Sequence, residues 1–354
     1  LGVPTTRALA AIATGDPVYR SYQEPGAVLV RVAKSHLRFG SIQYFAMTKD
    51  GEGLAELVSY AADRHFADSV LAKNAKTVEA KAEVLLEETV KRIATLIAQW
   101  QSLGFVHGVM NTDNMLLSGE TIDYGPCAFI DTFKADAKFS AIDTQGRYRL
   151  ANQPGIAHWN TSVLASCLLK VLNSKEEAAV AYAQTVVDEF PSWYTTAYKS
   201  QIAVKLGLDA FRPDDTQLHD QFLTVLERDA LDHTLAYRWL VHEALQDGGH
   251  TPISELFTPS DGLRTWVKDW QLRRADNSVE NSETAHKMQH ANPVVIPRNH
   301  QVAEAIARAE TGDYDYLQSA FERWKQPYEW QDKDKNWAAA PEPSERVHQT
   351  FCGT

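Results

Sequence analysis

Apolar residues recur every three or four positions through much of this chain, which predicts a mainly helical protein. The longest such stripe lies in residues 84–103 and consists of Leu86, Val90, Ile93, Ile97 and Trp100. Gly104 follows it, and glycine commonly ends a helix. The same spacing predicts further helices near residues 54–66, 163–171, 193–206, 216–229, 234–247, 299–311 and 314–325.

Two short runs near the beginning have the apolar and β-branched character of strands. They are AVLVRVA at 27–33 and IQYFA at 42–46. Ser174 and Glu177 have the spacing of a capping box, which predicts the start of another helix there. The stretch 275–284 is rich in Asp, Asn and Ser and predicts a solvated loop, and the polar tail from residue 331 predicts a surface segment.

The composition is that of an ordinary globular protein: 354 residues, of which 44% are hydrophobic and 23% charged. The net charge of −11 argues against nucleic acid or an anionic membrane as the main partner. The three cysteines form no C-x-x-C pair, so neither structural zinc nor a disulfide framework is expected. No run of about 18 apolar residues predicts a spanning helix. No signal peptide is visible, so we expect a cytoplasmic location.

The candidate chemistry lies in residues 107–126, HGVMNTDNMLLSGETIDYGP. Asp113, Asn114 and Asp123 surround a short polar turn, and carboxylate and amide oxygens suit Mg²⁺ that also binds substrate phosphates. His107 precedes Asn114 by seven residues, the spacing of the kinase loop H-R-D-L-x-x-x-N. Val109 stands where kinases carry the catalytic Asp. The pattern therefore predicts a kinase-type metal site without the usual base.

Six segments of the chain together resemble the selenoprotein O family, also called the YdiU family. They are LGVPTTRAL (1–9), RVAKSHLRFG (31–40), HGVMNTDNM (107–115), TIDYGP (121–126), QGRYRLANQPGIAHWN (145–160) and NPVVIPRNH (292–300). The resemblance implies an α+β, protein-kinase-like (pseudokinase) fold. It implies the remainder of a truncated small β-containing lobe at 1–48, a helical large lobe at 49–330 and a C-terminal tail at 331–354.

The resemblance also implies the activity and the roles of site residues. Members of the family transfer AMP from ATP to Ser, Thr or Tyr hydroxyls of proteins and release pyrophosphate. Asp113 would be the catalytic proton acceptor, Asn114 and Asp123 would hold Mg²⁺ or Mn²⁺, and Arg31, Arg38 and Asp123 would bind the nucleotide. Each has a structural alternative: Asp123 as a turn cap, Asn114 as a turn residue, Asp113 as a supporting carboxylate and the arginines as surface charges.

Other family positions have expected structural roles. His107 should stabilise its loop, Arg147 should order the following segment by pairing with a carboxylate, and Trp159 should belong to the core. Cys352 matches a Cys or selenocysteine near the C-terminus of family members. In some bacterial members it pairs with another Cys, and Phe139 occupies that position here.

One departure from the family pattern bears on activity. The family's glycine-rich loop, its ATP-binding Lys and the Glu partner of that Lys should precede LGVPTTRAL, so we expect this sequence to be a fragment of a longer protein. Two alternatives to AMP transfer therefore stay open. One is a nucleotide-binding pseudokinase without catalysis, and the other is a protein kinase that transfers the γ-phosphate, against which Val109 argues.

Overall fold

The computed structural model describes residues 1–19, 23–245, 252–331 and 334–351, and it has a mostly helical α+β architecture with small antiparallel sheets. The strands are β1 (Arg7–Tyr19), β2 (Gln23–Val32), β3 (Phe105–Val106) and β4 (Ala128–Phe129). The helices are α1 (Phe39–Thr48), α2 (Gly51–Phe66), α3 (Val78–Leu103), α4 (Gln153–Leu172), α5 (Glu176–Asp188), α6 (Phe190–Lys205), α7 (Asp215–Arg228), α8 (His233–Leu245), α9 (Ile253–Leu256), α10 (Asp261–Ala275), α11 (Asn281–Ala291), α12 (Asn299–Glu310), α13 (Asp315–Trp324) and α14 (Lys335–Ala338).

The long helix α3 organises the first of the two large hydrophobic cores. Thr77 caps its start by accepting a hydrogen bond from the Ala80 N–H, 3.2 Å away. Gly104 ends it with φ +69°, a left-handed conformation that glycine adopts without a steric penalty. The predicted stripe is confirmed, because its apolar side chains are buried against α2, α4 and α6. The chain then enters β3 and the predicted site segment.

The strand prediction for 27–33 is confirmed by β2, which pairs antiparallel with β1. The strand prediction for 42–46 is wrong, because these residues lie inside helix α1. Phe39 and Ile42, three positions apart, share the buried side of this helix. A five-residue apolar run does not distinguish a strand from a buried helical turn, and here packing against α4 decides.

Three smaller predictions also need correction. Helix α5 begins at Glu176 with Lys175 as N-cap and no side-chain cap, so the Ser174–Glu177 capping box is absent. The loop predicted over 275–284 is confined to residues between α10 and α11, and its last residues are helical. The tail is not a simple surface segment. Asp334 and Ala338 are buried, because Asp334 pairs with the buried guanidinium of Arg323.

Within the ranges that the structure describes, no helix has the length and apolar character needed to span a lipid bilayer.

Candidate active site

Backbone hydrogen bonds join the RVAKSHLRFG segment (31–40) to the loop at residues 107–126 that contains Asp113, Asn114 and Asp123. The Leu117 N–H donates to the Leu37 carbonyl at 3.0 Å, and the Phe39 N–H donates to the Met115 carbonyl at 2.9 Å. Between these bonds Arg38 lies opposite Leu116 in an antiparallel bridge. The side chain of Arg38 is therefore held beside the loop by backbone geometry rather than by its own charge alone.

Arg31 and Arg38 converge on one carboxylate. The Arg38 guanidinium lies 2.9 Å from Oδ2 of Asp123, and Arg31 forms an ion pair with Oδ1. The Asp123 side chain is only 24% exposed, so the two cations screen a carboxylate that is largely removed from water. The resemblance implies that all three residues bind the nucleotide, and the structure brings them into direct contact.

Arg38 also reaches the neighbouring turn. Its Nη1 donates to the Asp113 carbonyl at 2.6 Å, so one guanidinium joins the Asp113 backbone to the Asp123 carboxylate. Asp113 and Asn114 lie in a short 3₁₀ turn, Thr112–Asn114. The Asn114 amide donates through Nδ2 to the Val109 carbonyl at 2.9 Å. The five predicted site residues thus lie in one continuous cluster.

The cluster offers oxygen ligands to a hard cation, although few of them are carboxylates. Among the described residues, no group of three or more His, Cys, Asp or Glu side chains could hold a metal ion by itself. The Nδ2 atom of Asn114 donates to Val109, which leaves its Oδ1 available as an oxygen ligand. An amide oxygen and the Asp123 carboxylate fit Mg²⁺, which commonly takes one or two protein carboxylates and completes its shell with phosphates and water.

His107 holds the loop, as the sequence predicted. Its imidazole is fully buried and stacks on Trp100 with ring centres 5.3 Å apart. Nε2 lies 2.7 Å from the Ile122 carbonyl, and the Val109 N–H donates to Nδ1 at 3.3 Å. Burial lowers the pKa of His107, so the neutral form is favoured. The residue joins both sides of the loop directly before Asp123.

Two residues of α4 support the same loop, and the sequence argument missed their roles. Buried Gln153 accepts the His107 N–H at 2.9 Å and donates to the Phe105 carbonyl at 2.9 Å. Buried Asn160 donates to the Met110 carbonyl at 2.8 Å. These two amides are seven residues apart and therefore lie on one face of the helix, two turns from each other. A pair of amides at that spacing among apolar residues was the sequence pattern that could have predicted their buried hydrogen bonds.

The segment 143–148 is ordered differently from expectation. Both Asp143 carboxylate oxygens accept backbone N–H groups, from Arg147 at 2.7 Å and from Tyr148 at 2.8 Å. The Arg147 guanidinium does not pair with a carboxylate among the described residues; it lies 5.0 Å from the ring centre of Trp159. Trp159 is 50% exposed, so its assignment to the core is wrong. Cation–π stacking replaces the expected ion pair.

The chain ends flank the site. The Thr121 N–H donates to the Pro4 carbonyl at 2.9 Å, and Thr5 hydrogen-bonds the hydroxyl of Tyr124. Near the other end, the Thr350 N–H donates to the carbonyl of Phe139 at 2.8 Å, the position where some family members carry a cysteine. Cys352 lies outside the described residues. A backbone hydrogen bond therefore links the tail to the segment that contains Phe139.

The chain is similar to known proteins of one family. The family model described as "Protein adenylyltransferase SelO" matches residues 1–325. A protein named "Protein nucleotidyltransferase YdiU" from Geobacillus kaustophilus is 44% identical over 355 aligned residues, which cover 100% of this chain and 71% of that protein. Proteins of the same name from Anoxybacillus flavithermus and Bradyrhizobium sp. are each 42% identical, over 100% of the chain and 70% and 71% of their lengths. The chain belongs to the SelO family of protein adenylyltransferases, whose curated members carry the name YdiU.

Proposed function

We propose that this protein transfers AMP from ATP to Ser, Thr or Tyr hydroxyls of other proteins and that the cluster around Asp123 performs the transfer. The observation that carries the proposal is the convergence of Arg31 and Arg38 on the Asp123 carboxylate, directly beside Asp113 and Asn114. A guanidinium matches phosphate oxygens with paired hydrogen bonds, so two of them beside metal-binding oxygens suit a triphosphate. The fold class supports a kinase-like arrangement, and Val109 stands where the kinase base would be.

The proposed step is a displacement at the α-phosphorus. The acceptor hydroxyl oxygen forms a bond to the α-phosphorus, and the bond from that phosphorus to the oxygen bridging the β-phosphate breaks. Pyrophosphate leaves, and the hydroxyl proton passes to the Asp113 carboxylate, which acts as general base. Arg31 and Arg38 bind the phosphate oxygens and hold them in line, and such positioning supplies most of the catalysis in reactions of this type.

Asn114 and Asp123 would hold Mg²⁺ or Mn²⁺ through the amide Oδ1 and the carboxylate. A divalent cation bound there would neutralise charge on the phosphates. The ion pairs with the two arginines orient the Asp123 carboxylate. We place the reaction in the cytoplasm, with ATP and proteins as the substrates.

ATP labelled separately at the α- and γ-phosphates tests this proposal. We expect label from the α position on protein, and none from the γ position. Asp123→Ala in the complete gene product should reduce the transfer by at least about a hundredfold, because it removes the carboxylate from the metal site and from both arginines. Asp136→Ala, an exposed carboxylate downstream of the site, is the control and should transfer at the wild-type rate. Transfer of the γ-label, or an active Asp123→Ala variant, would refute the assignment.

A further inference from the structure

We propose that Gly40 is a positioning residue for Asp113: the absence of a side chain at position 40 creates the space in which the Asp113 carboxylate lies. This inference rests on the proposed function, because it assigns a requirement to the proton acceptor named above. It concerns a glycine that carries no chemistry itself and that lies 73 residues away along the chain.

Asp113 occupies the space that a side chain at position 40 would need. A β-carbon built on Gly40 would overlap Oδ1 of Asp113 and would lie 3.2 Å from its Cγ and 3.7 Å from its Cα. Each of the three heavy atoms nearest to that position belongs to Asp113. The backbone of Gly40 therefore forms one wall of the carboxylate's position, and no residue other than glycine leaves that position free.

The backbone conformation at position 40 does not require glycine. It lies in the first turn of α1, and its φ is not among the positive values found in this chain. Glycine in a helix costs roughly 0.5–1 kcal/mol relative to alanine, so helix stability alone would favour a side chain here. The close approach of Asp113 supplies the physical reason for glycine at this point.

The surrounding backbone cannot move away easily. Leu37 and Phe39 are hydrogen-bonded to Leu117 and Met115 on the same loop that carries Asp113. The guanidinium of Arg38, the residue between them, donates to the Asp113 carbonyl. Because the backbone is held in place, a methyl group added at position 40 would displace the Asp113 carboxylate. The ion pair between Arg38 and Asp123 involves other atoms and would remain.

The test is Gly40→Ala in the complete gene product, with Gly51→Ala as the matched control. Gly51 begins α2, and a β-carbon there would meet no heavy atom within 4 Å. We expect Gly40→Ala to lower kcat for AMP transfer by roughly 10- to 100-fold, the size of effect that a displacement of about 1 Å produces. KM for ATP should change by less than about twofold, since binding does not involve the displaced group. Gly51→Ala should match the wild type in both constants.

A second measurement tests the contact without depending on activity. Thermal unfolding is compared for Gly40→Ala in the wild-type background and in an Asp113→Ala background. Removing the carboxylate removes the collision, so the methyl group should stabilise the Asp113→Ala protein more than it stabilises the wild type. A non-zero difference of this sign supports the contact even if Gly40→Ala folds poorly.

Two results would overturn the inference and leave the proposed function standing. One is a Gly40→Ala enzyme with the kcat of Gly51→Ala, and the other is an equal change in unfolding temperature in both backgrounds. A wild-type protein that transfers no AMP would overturn the proposed function instead, and the positioning role with it.

Discussion

Asp123 combines an unusual backbone conformation with two ion pairs. Its φ of +58° is in the left-handed region, which most non-glycine residues avoid and which Asp tolerates better than most. Such conformations persist only where the surroundings impose them, and they concentrate at functional sites. Here Arg31 and Arg38 pair with the two oxygens of the carboxylate. The identity of Asp123 as a site residue could be predicted from the I-D-Y-G motif, but its backbone geometry could not.

At the same scale, His107 is expected to matter for stability. His107→Ala would leave the Ile122 carbonyl and the Val109 N–H without partners and would open a cavity beside Trp100. We expect a loss of about 2–4 kcal/mol in the free energy of unfolding, measured by urea denaturation followed by circular dichroism. His286→Ala, at an exposed position on α11, should change this free energy by less than about 0.5 kcal/mol. Equal losses in the two variants would contradict the role assigned to His107.

At the scale of elements, local patterns predicted the helices with long apolar stripes and failed where the pattern was short. Residues 42–46 became part of helix α1 because Phe39 and Ile42 could be buried together against α4. Strand β1 was not predicted because its sequence is rich in alanine and contains Gly15 and Pro17. Its extended form comes from antiparallel pairing with β2, the next strand along the chain.

Helix α6 ends in Lys205, a buried lysine that should make the free energy of unfolding depend on pH. Lys205 is 3% exposed, and its Nζ lies 4.0 Å from the ring centre of Tyr237, with no carboxylate among the described residues within ion-pair distance. Burial lowers the pKa of Lys205 from 10.5 to about 7. Between these values the unfolded chain holds a proton that the folded chain lacks, so this residue makes stability rise with pH from about 7 towards 10.

Lys205→Met should therefore stabilise the protein at pH 7 by about 1–3 kcal/mol, because no charge then has to be buried. The advantage over the wild type should shrink as the pH rises from 7 to 9, which chemical denaturation at several pH values measures. Lys170→Met, at an exposed position on α4, should show no such trend. A constant difference between Lys205→Met and the wild type across this range would contradict the assignment.

At the scale of the whole molecule, one arginine connects distant parts of the chain. Arg298, in the NPVVIPRNH motif, is fully buried and forms ion pairs with Asp131, just after β4, and with Asp232, just before α8. It also donates to the Ala338 carbonyl in the tail at 3.0 Å. The NPVVIPRNH motif thus has a structural role, because its Arg298 connects the tail to the residues just after β4.

Removing this cation should destabilise the fold strongly. Arg298→Met would leave two largely buried carboxylates without their partner, and we expect a loss of about 3–5 kcal/mol in the free energy of unfolding. Arg308→Met is the matched control on α12, where an exposed pair with Glu304 should contribute less than about 1 kcal/mol. Urea denaturation of the two variants checks this, and a loss below about 1 kcal/mol in Arg298→Met would contradict it.

By itself, the sequence determined the mainly helical class, the core helix α3 with its glycine end, and the identities of the candidate site residues. The first two follow from local periodicity, and Asp113, Asn114 and Asp123 follow from a motif whose residues are close together in the chain. Arg31 and Arg38 were identified through the resemblance to the family. Only the tertiary structure decided that Arg31 and Arg38 would meet Asp123, that Gly40 would lie against Asp113, and that residues 42–46 would be helical. Each of these depends on contacts between distant segments, whose energies no local pattern contains.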